Sequence, residues 1–155
     1  MSDEEVEQLL KIADSFKKLN AKVSLYALLD KAKAEYDAMD FVSGRETLTK
    51  ALELDPNNPT TLRGLGCIEQ FEGNIEKALE YFKQALKYSE HKEIEYTLIG
   101  MAYYLEDNLD DSIINFNLAI EANDNYTKAY EGRNQAMLEN HLKIVDLQDA
   151  LKKYF

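Results

Sequence analysis

One spacing constrains this chain more than any other feature: apolar and small residues recur every 34 positions. Leu65-Gly66 returns as Ile99-Gly100, and Phe82 returns as Phe116. Ala51-Leu52, Ala85-Leu86 and Ala119-Ile120 keep the same period, as do Leu28, Leu62, Tyr96 and Tyr130. A fixed period of this length marks a small structural unit that cannot bury its apolar face alone and stacks on the next copy. Inside one unit, Ile75, Ala78, Leu79, Phe82, Ala85 and Leu86 fall at three- and four-residue steps, the stripe of an amphipathic helix. Ile113, Ile114, Phe116, Leu118, Ala119 and Ile120 repeat that stripe less regularly. With Pro 2 and Gly 6 in 155 residues, long stretches carry no helix breaker, so an all-helical chain is expected. The turns are expected at Glu72-Gly73-Asn74, at Asp107-Asn108 and at Asp55-Pro56-Asn57-Asn58-Pro59, with Pro59 in a first helical turn. Small residues at Gly66, Ala78 and Gly100 let two helices approach closely.

The period and the residue types that hold it resemble the tetratricopeptide repeat. That pattern runs large apolar or aromatic, Leu-Gly, Tyr, Ala, Phe, Pro. Residues 59–92 carry Leu62, Leu65-Gly66, Ala78 and Phe82, with Glu69 in the Tyr slot and Glu90 in the Pro slot. Residues 93–126 carry Tyr96, Ile99-Gly100, Tyr103 and Phe116, with Ser112 for Ala and Asp124 for Pro. Residues 25–58 fit at Leu28, Leu48, Ala51 and Pro56 and depart at Lys31, Ala32 and Gly44. The resemblance implies one domain over 1–155, an all-α solenoid of helical hairpins: repeats at 25–58, 59–92 and 93–126, and a divergent repeat or capping helices at 127–155.

The flanks are read from their own residues. Ser2-Asp3-Glu4-Glu5 has capping-box spacing, so an amphipathic helix is expected over 1–21, with Val6, Leu9, Leu10, Ala13, Phe16 and Leu19 on one face and its end near Asn20. At the other end Thr127 to about Asn140 reads as one more first helix, with Arg133-Asn134 replacing Leu-Gly. Asp146 is expected to cap a last helix through Leu147, Leu151, Tyr154 and Phe155; the alternative is a single long helix over 127–155.

Charge and chemistry narrow the function. Lys+Arg 18 against Asp+Glu 29 gives −11 at pH 7, which argues against a nucleic-acid binder, since such proteins meet phosphates with basic surfaces. No apolar run is long enough to span a bilayer. The acidic start Met1-Ser2-Asp3-Glu4-Glu5 lacks the pattern of a secretory signal, and one cysteine forms no internal disulfide, so a cytoplasmic location is expected. Asn125-Tyr126-Thr127 is then an accidental sequon. His91 and His141 have no metal-ligand spacing, Cys67 has no adjacent base, and Asp107, Asp110 and Asp111 lack the remainder of a calcium loop. Neither an enzyme nor a cofactor is expected.

The resemblance implies where binding occurs: the first helix of each repeat lines a concave groove. Carried over position by position, the groove residues are Tyr26, Lys33, Tyr36, Arg63, Cys67, Gln70, Thr97, Met101, Tyr104 and Lys128. Asp37, Glu131 and Glu139 balance the three cations among these positions, which leaves the acidic excess for the second helices. Some relatives clamp the C-terminal carboxylate of chaperones with Lys, Asn and Arg. Here Cys67, Leu98 and Gly132 occupy slots of that pattern, so no such clamp is expected. The leading expectation is an adaptor that holds a peptide or helix of another protein. The alternatives are a cytoplasmic chaperone of a secreted client, resembling those of type III secretion, and a self-assembling scaffold. A monomer is expected, with a homodimer through the N-terminal helix as the alternative.

Overall fold

The computed structural model describes residues 1–152, and its elements are seven helices: α1 (Asp3–Asp37), α2 (Phe41–Leu54), α3 (Pro59–Phe71), α4 (Ile75–Tyr88), α5 (Lys92–Leu105), α6 (Leu109–Ala122) and α7 (Thr127–Lys152). Each helix packs on its successor as an antiparallel hairpin or as the start of the next one, and α7 lies on α5 and α6. Tyr154 and Phe155 lie outside the described residues.

The 34-residue period is written into the backbone. Met39, Gly73 and Asp107 close the three hairpin turns with positive φ of 60°, 85° and 63°. In each turn the next residue donates its N–H to a carbonyl five positions back: Asp40 to Glu35, Asn74 to Glu69 and Asn108 to Tyr103, at 2.8 to 2.9 Å. That bond ties off the carbonyls left orphaned at a helix end. Glycine tolerates the left-handed conformation; Met39 and Asp107 adopt it against the clash of their Cβ atoms. Asp40, Asn58 and Asn108 then accept N–H bonds from three residues on and start the next helix.

The core forms where large meets small. A Cβ on Gly66 would stand 2.5 Å from the Phe82 ring, and one on Gly100 would stand 3.1 Å from Phe116. Gly132, on α7, meets the Phe116 ring as closely as Gly66 meets Phe82, and Gly64 lies against Leu48 in the same way. Both Phe rings are thereby fully buried, a gain of roughly 2–3 kcal/mol each. Ser112, in the alanine slot, is buried and donates its hydroxyl to the Gly100 carbonyl at 2.8 Å. Glu69, in the tyrosine slot, is 1% exposed and joins three helices through Arg45, Asn74 and Lys77. Burial pushes its carboxyl up, but the hydrogen bonds from Arg45 and Asn74 and the nearby charge of Arg45 outweigh that and hold it below the ordinary range.

The flanks depart from expectation. The helix expected to stop near Asn20 continues without a break to Asp37, so the N-terminal segment and the first helix of the first repeat are one element. No glycine or proline occurs between 3 and 37, and Asn20 meets no turn that would use it. The predicted capping box is present: Ser2 accepts from the Glu5 N–H, and Glu5 accepts from the Ser2 N–H at 2.6 Å. At the other end Asp146 caps nothing; it lies inside α7, a single helix as in the alternative reading, because 133–152 also lacks a breaker. Residues 3–24 and 141–152 are exposed throughout; Lys143 in the second segment still reaches back to Asp107.

Candidate functional site

The first helices of the hairpins, together with the start of α7, line one face of the solenoid, and two clefts open on it. The first, about 440 Å³, lies between α1 and α3, with Leu29, Lys33, Tyr36, Thr60, Arg63 and Cys67 in its wall. The second, about 580 Å³, lies between α3, α5 and α7 and takes in Arg63, Cys67, Thr97, Met101, Tyr104 and Lys128. Arg63 and Cys67 are common to both walls, so the clefts are neighbours along one groove.

Eight of the ten residues expected in the groove are brought together here; two are not. Tyr26 lies just beyond the packed part of α1 and is 60% exposed, bordering neither cleft. Gln70 lines neither cleft as well, and its side-chain oxygen is buried without a partner.

The electrostatics differ from cleft to cleft. In the first, Lys33 donates to Asp37 at 2.6 Å, an exposed pair one helical turn apart. At the divide Arg63 reaches Glu95 on α5, with Nη2 and Nε at 2.7 and 2.9 Å from the same carboxylate oxygen. Glu95 is fully buried, and its second oxygen has no partner. In the second cleft Lys128 forms no ion pair among the described residues. Tyr104 donates its hydroxyl to Glu139 at 2.5 Å, which fixes the ring across the α5–α7 junction. The hydroxyl of Thr97, a residue 4% exposed, is buried without a hydrogen-bond partner in the wall of the second cleft.

Cys67 is mostly buried, and that burial pushes its thiol up to about 11 despite the lowering effect of Arg63. It is therefore a neutral, weakly reactive apolar contact at physiological pH. The acidic cluster of Asp107, Asp110 and Asp111 is absorbed by structure. Asp107 closes a turn and pairs with Lys143, Asp110 meets Asn140, and Asp111 bonds with Asn108. No group of three or more metal-ligating side chains occurs among the described residues. No described helix is long and apolar enough to cross a membrane.

Sequence reasoning overlooked two features of the groove. Glu95 was not singled out, although it stands 32 residues from Arg63, close to one period, on the next first helix. Leu98 and Gly132, which the clamp pattern already places in the groove, line the second cleft beside Phe116, where the wall is apolar instead of basic. Tyr126, just before α7, closes the far end.

Repeated hairpins, left-handed turns at one period and glycine-against-phenylalanine packing agree with the family comparison: a family model described as tetratricopeptide repeat matches residues 64–92. The chain is a tetratricopeptide-repeat protein. Among solved tetratricopeptide-type structures, that of Pseudomonas aeruginosa pilF superposes with a TM-score of 0.73 at 17% identity, over 79% of this chain and 56% of that one. The first TPR of Spaghetti bound to an HSP90 peptide superposes with a TM-score of 0.69 at 14% identity, over 76% of this chain and 94% of that one. At such identities these likenesses concern the fold. By sequence, anaphase-promoting complex subunit 7 of Dictyostelium discoideum is 33% identical over 107 residues, 69% of this chain. This tetratricopeptide-repeat chain spans only 18% of that relative's length. The repeat architecture is that of a protein–protein interaction module.

Proposed function

We propose that this protein is a non-enzymatic adaptor whose concave groove holds a peptide or short helix of another protein. The observation that carries this reading is the second cleft. It offers about 580 Å³ walled chiefly by apolar side chains, surface that a bound peptide would remove from water. Met101 and Tyr104 supply the apolar anchors, and Lys128 is a free cation at the rim that favours an acidic residue on the ligand. The carboxylate-clamp slots hold Cys67, Leu98 and Gly132, so the ligand need not end in the groove. That differs from a terminal-carboxylate mode, in which Asn and Arg side chains would stand at those positions.

Selection of a random peptide library on the immobilised protein, followed by affinity measurement on the enriched peptides, tests the reading. Met101→Glu and Lys128→Glu are expected to weaken the selected peptides at least tenfold while the far-ultraviolet circular dichroism is unchanged. Equal binding by the native protein and both variants contradicts the groove assignment. Tyr104 is left intact because Tyr104→Glu would set a second carboxylate against Glu139.

A further inference from the structure

The N-terminal arm carries features that the groove does not use. Residues 3–24 form about six helical turns, about 33 Å long, and are exposed throughout. Val6, Leu9, Ala13, Phe16 and Val23 form a three-heptad stripe along one side, and Phe16 and Leu10 are each more than 60% exposed. Helices in proteins draw most of their stability from packing an amphipathic face. An exposed stripe of this length marks a contact surface.

The charges beside the stripe identify its occupant. Glu7 and Lys11 pair with each other, as do Asp14 and Lys18, each at 2.7 Å, while Glu5 is engaged in the cap. The ions left free on the arm are Asp3 and Glu4 at one end and Lys17 and Lys22 at the other. Helical geometry sets Asp3 and Lys17 on one border of the stripe, whereas Glu4 and Lys22 point away from it. In an antiparallel pair of identical helices, like borders face each other with their ends reversed. Asp3 then meets Lys17 of the second copy, and the pair occurs twice. A parallel pair would set this border against Glu5, Ile12 and Leu19 of the second copy, which offer Lys17 no acid. The groove offers the acidic end only Lys128, since Lys33 and Arg63 already have carboxylate partners.

We propose that the occupant is a second copy of this chain: the arms pair antiparallel across a two-fold axis near residue 10, giving a dimer with both grooves open. A two-fold pairing of this kind closes on itself and does not extend into a filament. Apolar burial holds the pair together, and the exposed ion pairs select its orientation.

Light scattering on the full chain across a dilution series tests this, with circular dichroism as the control for folding. The native chain is expected to dimerise, and Leu9→Glu with Phe16→Glu to be monomeric with unchanged helicity. Asp3→Lys, and separately Lys17→Glu, are each expected to weaken self-association. Mixing the two is expected to restore a heterodimer at least tenfold tighter than either alone. A native chain that is monomeric throughout, or a mixture no tighter than its components, overturns the proposal. Met101→Glu is expected to leave the dimer intact. Loss of the dimer in that variant places the arm in the groove and also overturns the antiparallel pairing, whereas failure of peptide binding alone leaves it standing.

Discussion

Phe82 and Phe16 both sit on helices with apolar residues at three- and four-residue steps, yet one is fully buried and the other is 62% exposed. Phe82 finds Gly66 and the α5 residues Ile99 and Ala102 within its own chain, one repeat along. Phe16 meets no such partner among the described residues. The contrast shows that apolar periodicity specifies a helix, whereas burial depends on a matching surface at the right distance in the sequence. The middle of the solenoid is closed by its own repeats. The arm and the groove are left for other chains.

The sharpest way to break this comparison is to truncate both rings. Phe82→Ala is expected to cost about 3–5 kcal/mol in denaturant unfolding. Phe16→Ala, measured in dilute solution, is expected to stay within about 0.5 kcal/mol of the native chain. Equal losses would mean that the arm is packed on the body after all.

Arg63→Met comes next. It leaves the buried Glu95 carboxylate without its cation, and a loss of about 2–3 kcal/mol is expected by thermal or denaturant unfolding. Adding Glu95→Leu is expected to recover most of it. Failure of the second substitution to compensate would show that Arg63 acts through its packing alone.

A shallower effect belongs to pH. The Glu69 carboxyl is held below its ordinary value of 4.5, so its ion-pair stabilisation is fully present above that pH. It is expected to fade as pH falls through the lower folded-state value. Glu69→Gln should be less stable than the native chain at pH 7, with the gap narrowing below pH 4.5. A gap that stays constant with pH would remove Glu69 as a charged link between α2, α3 and α4.

The smallest expected change is a gain. Met39 holds the left-handed conformation that Gly73 holds one repeat later. Met39→Gly removes about 1–2 kcal/mol of backbone strain and adds roughly 0.5–1 kcal/mol of unfolded-state entropy. A net stabilisation of about 0.5–1 kcal/mol is expected from unfolding curves. A loss would show that the Met39 side chain contributes contacts that outweigh the strain.

The legible parts of the sequence are those that repeat. The columns at Leu65-Gly66 and Phe82 announced the helix pairs, their turns and the packing of small against large, because each is needed once per unit. The groove was legible through the same columns: the resemblance places Lys33, Tyr36, Arg63, Thr97, Met101 and Lys128 by position, and they line the two clefts. Residues whose role depends on a neighbouring unit were harder to read. Glu95 looks like any surface acid until Arg63 is seen across the α3–α5 gap. Gly132 packs on the preceding repeat, off the expected Leu-Gly slot. Helix ends failed where no period governs them. Asn20 and Asp146 are residue types that favour helix ends, but neither has a glycine, a proline or a packed turn beside it to enforce one.

Residue-resolved hydrogen exchange at two protein concentrations tests most directly whether the middle is closed by its own chain and the arm by another. The account predicts slow exchange in α3–α6 at both concentrations. In residues 3–24 it predicts fast exchange in dilute protein that slows as the concentration rises. Protection of 3–24 equal to that of α4 in dilute protein, with no dependence on concentration, would contradict it.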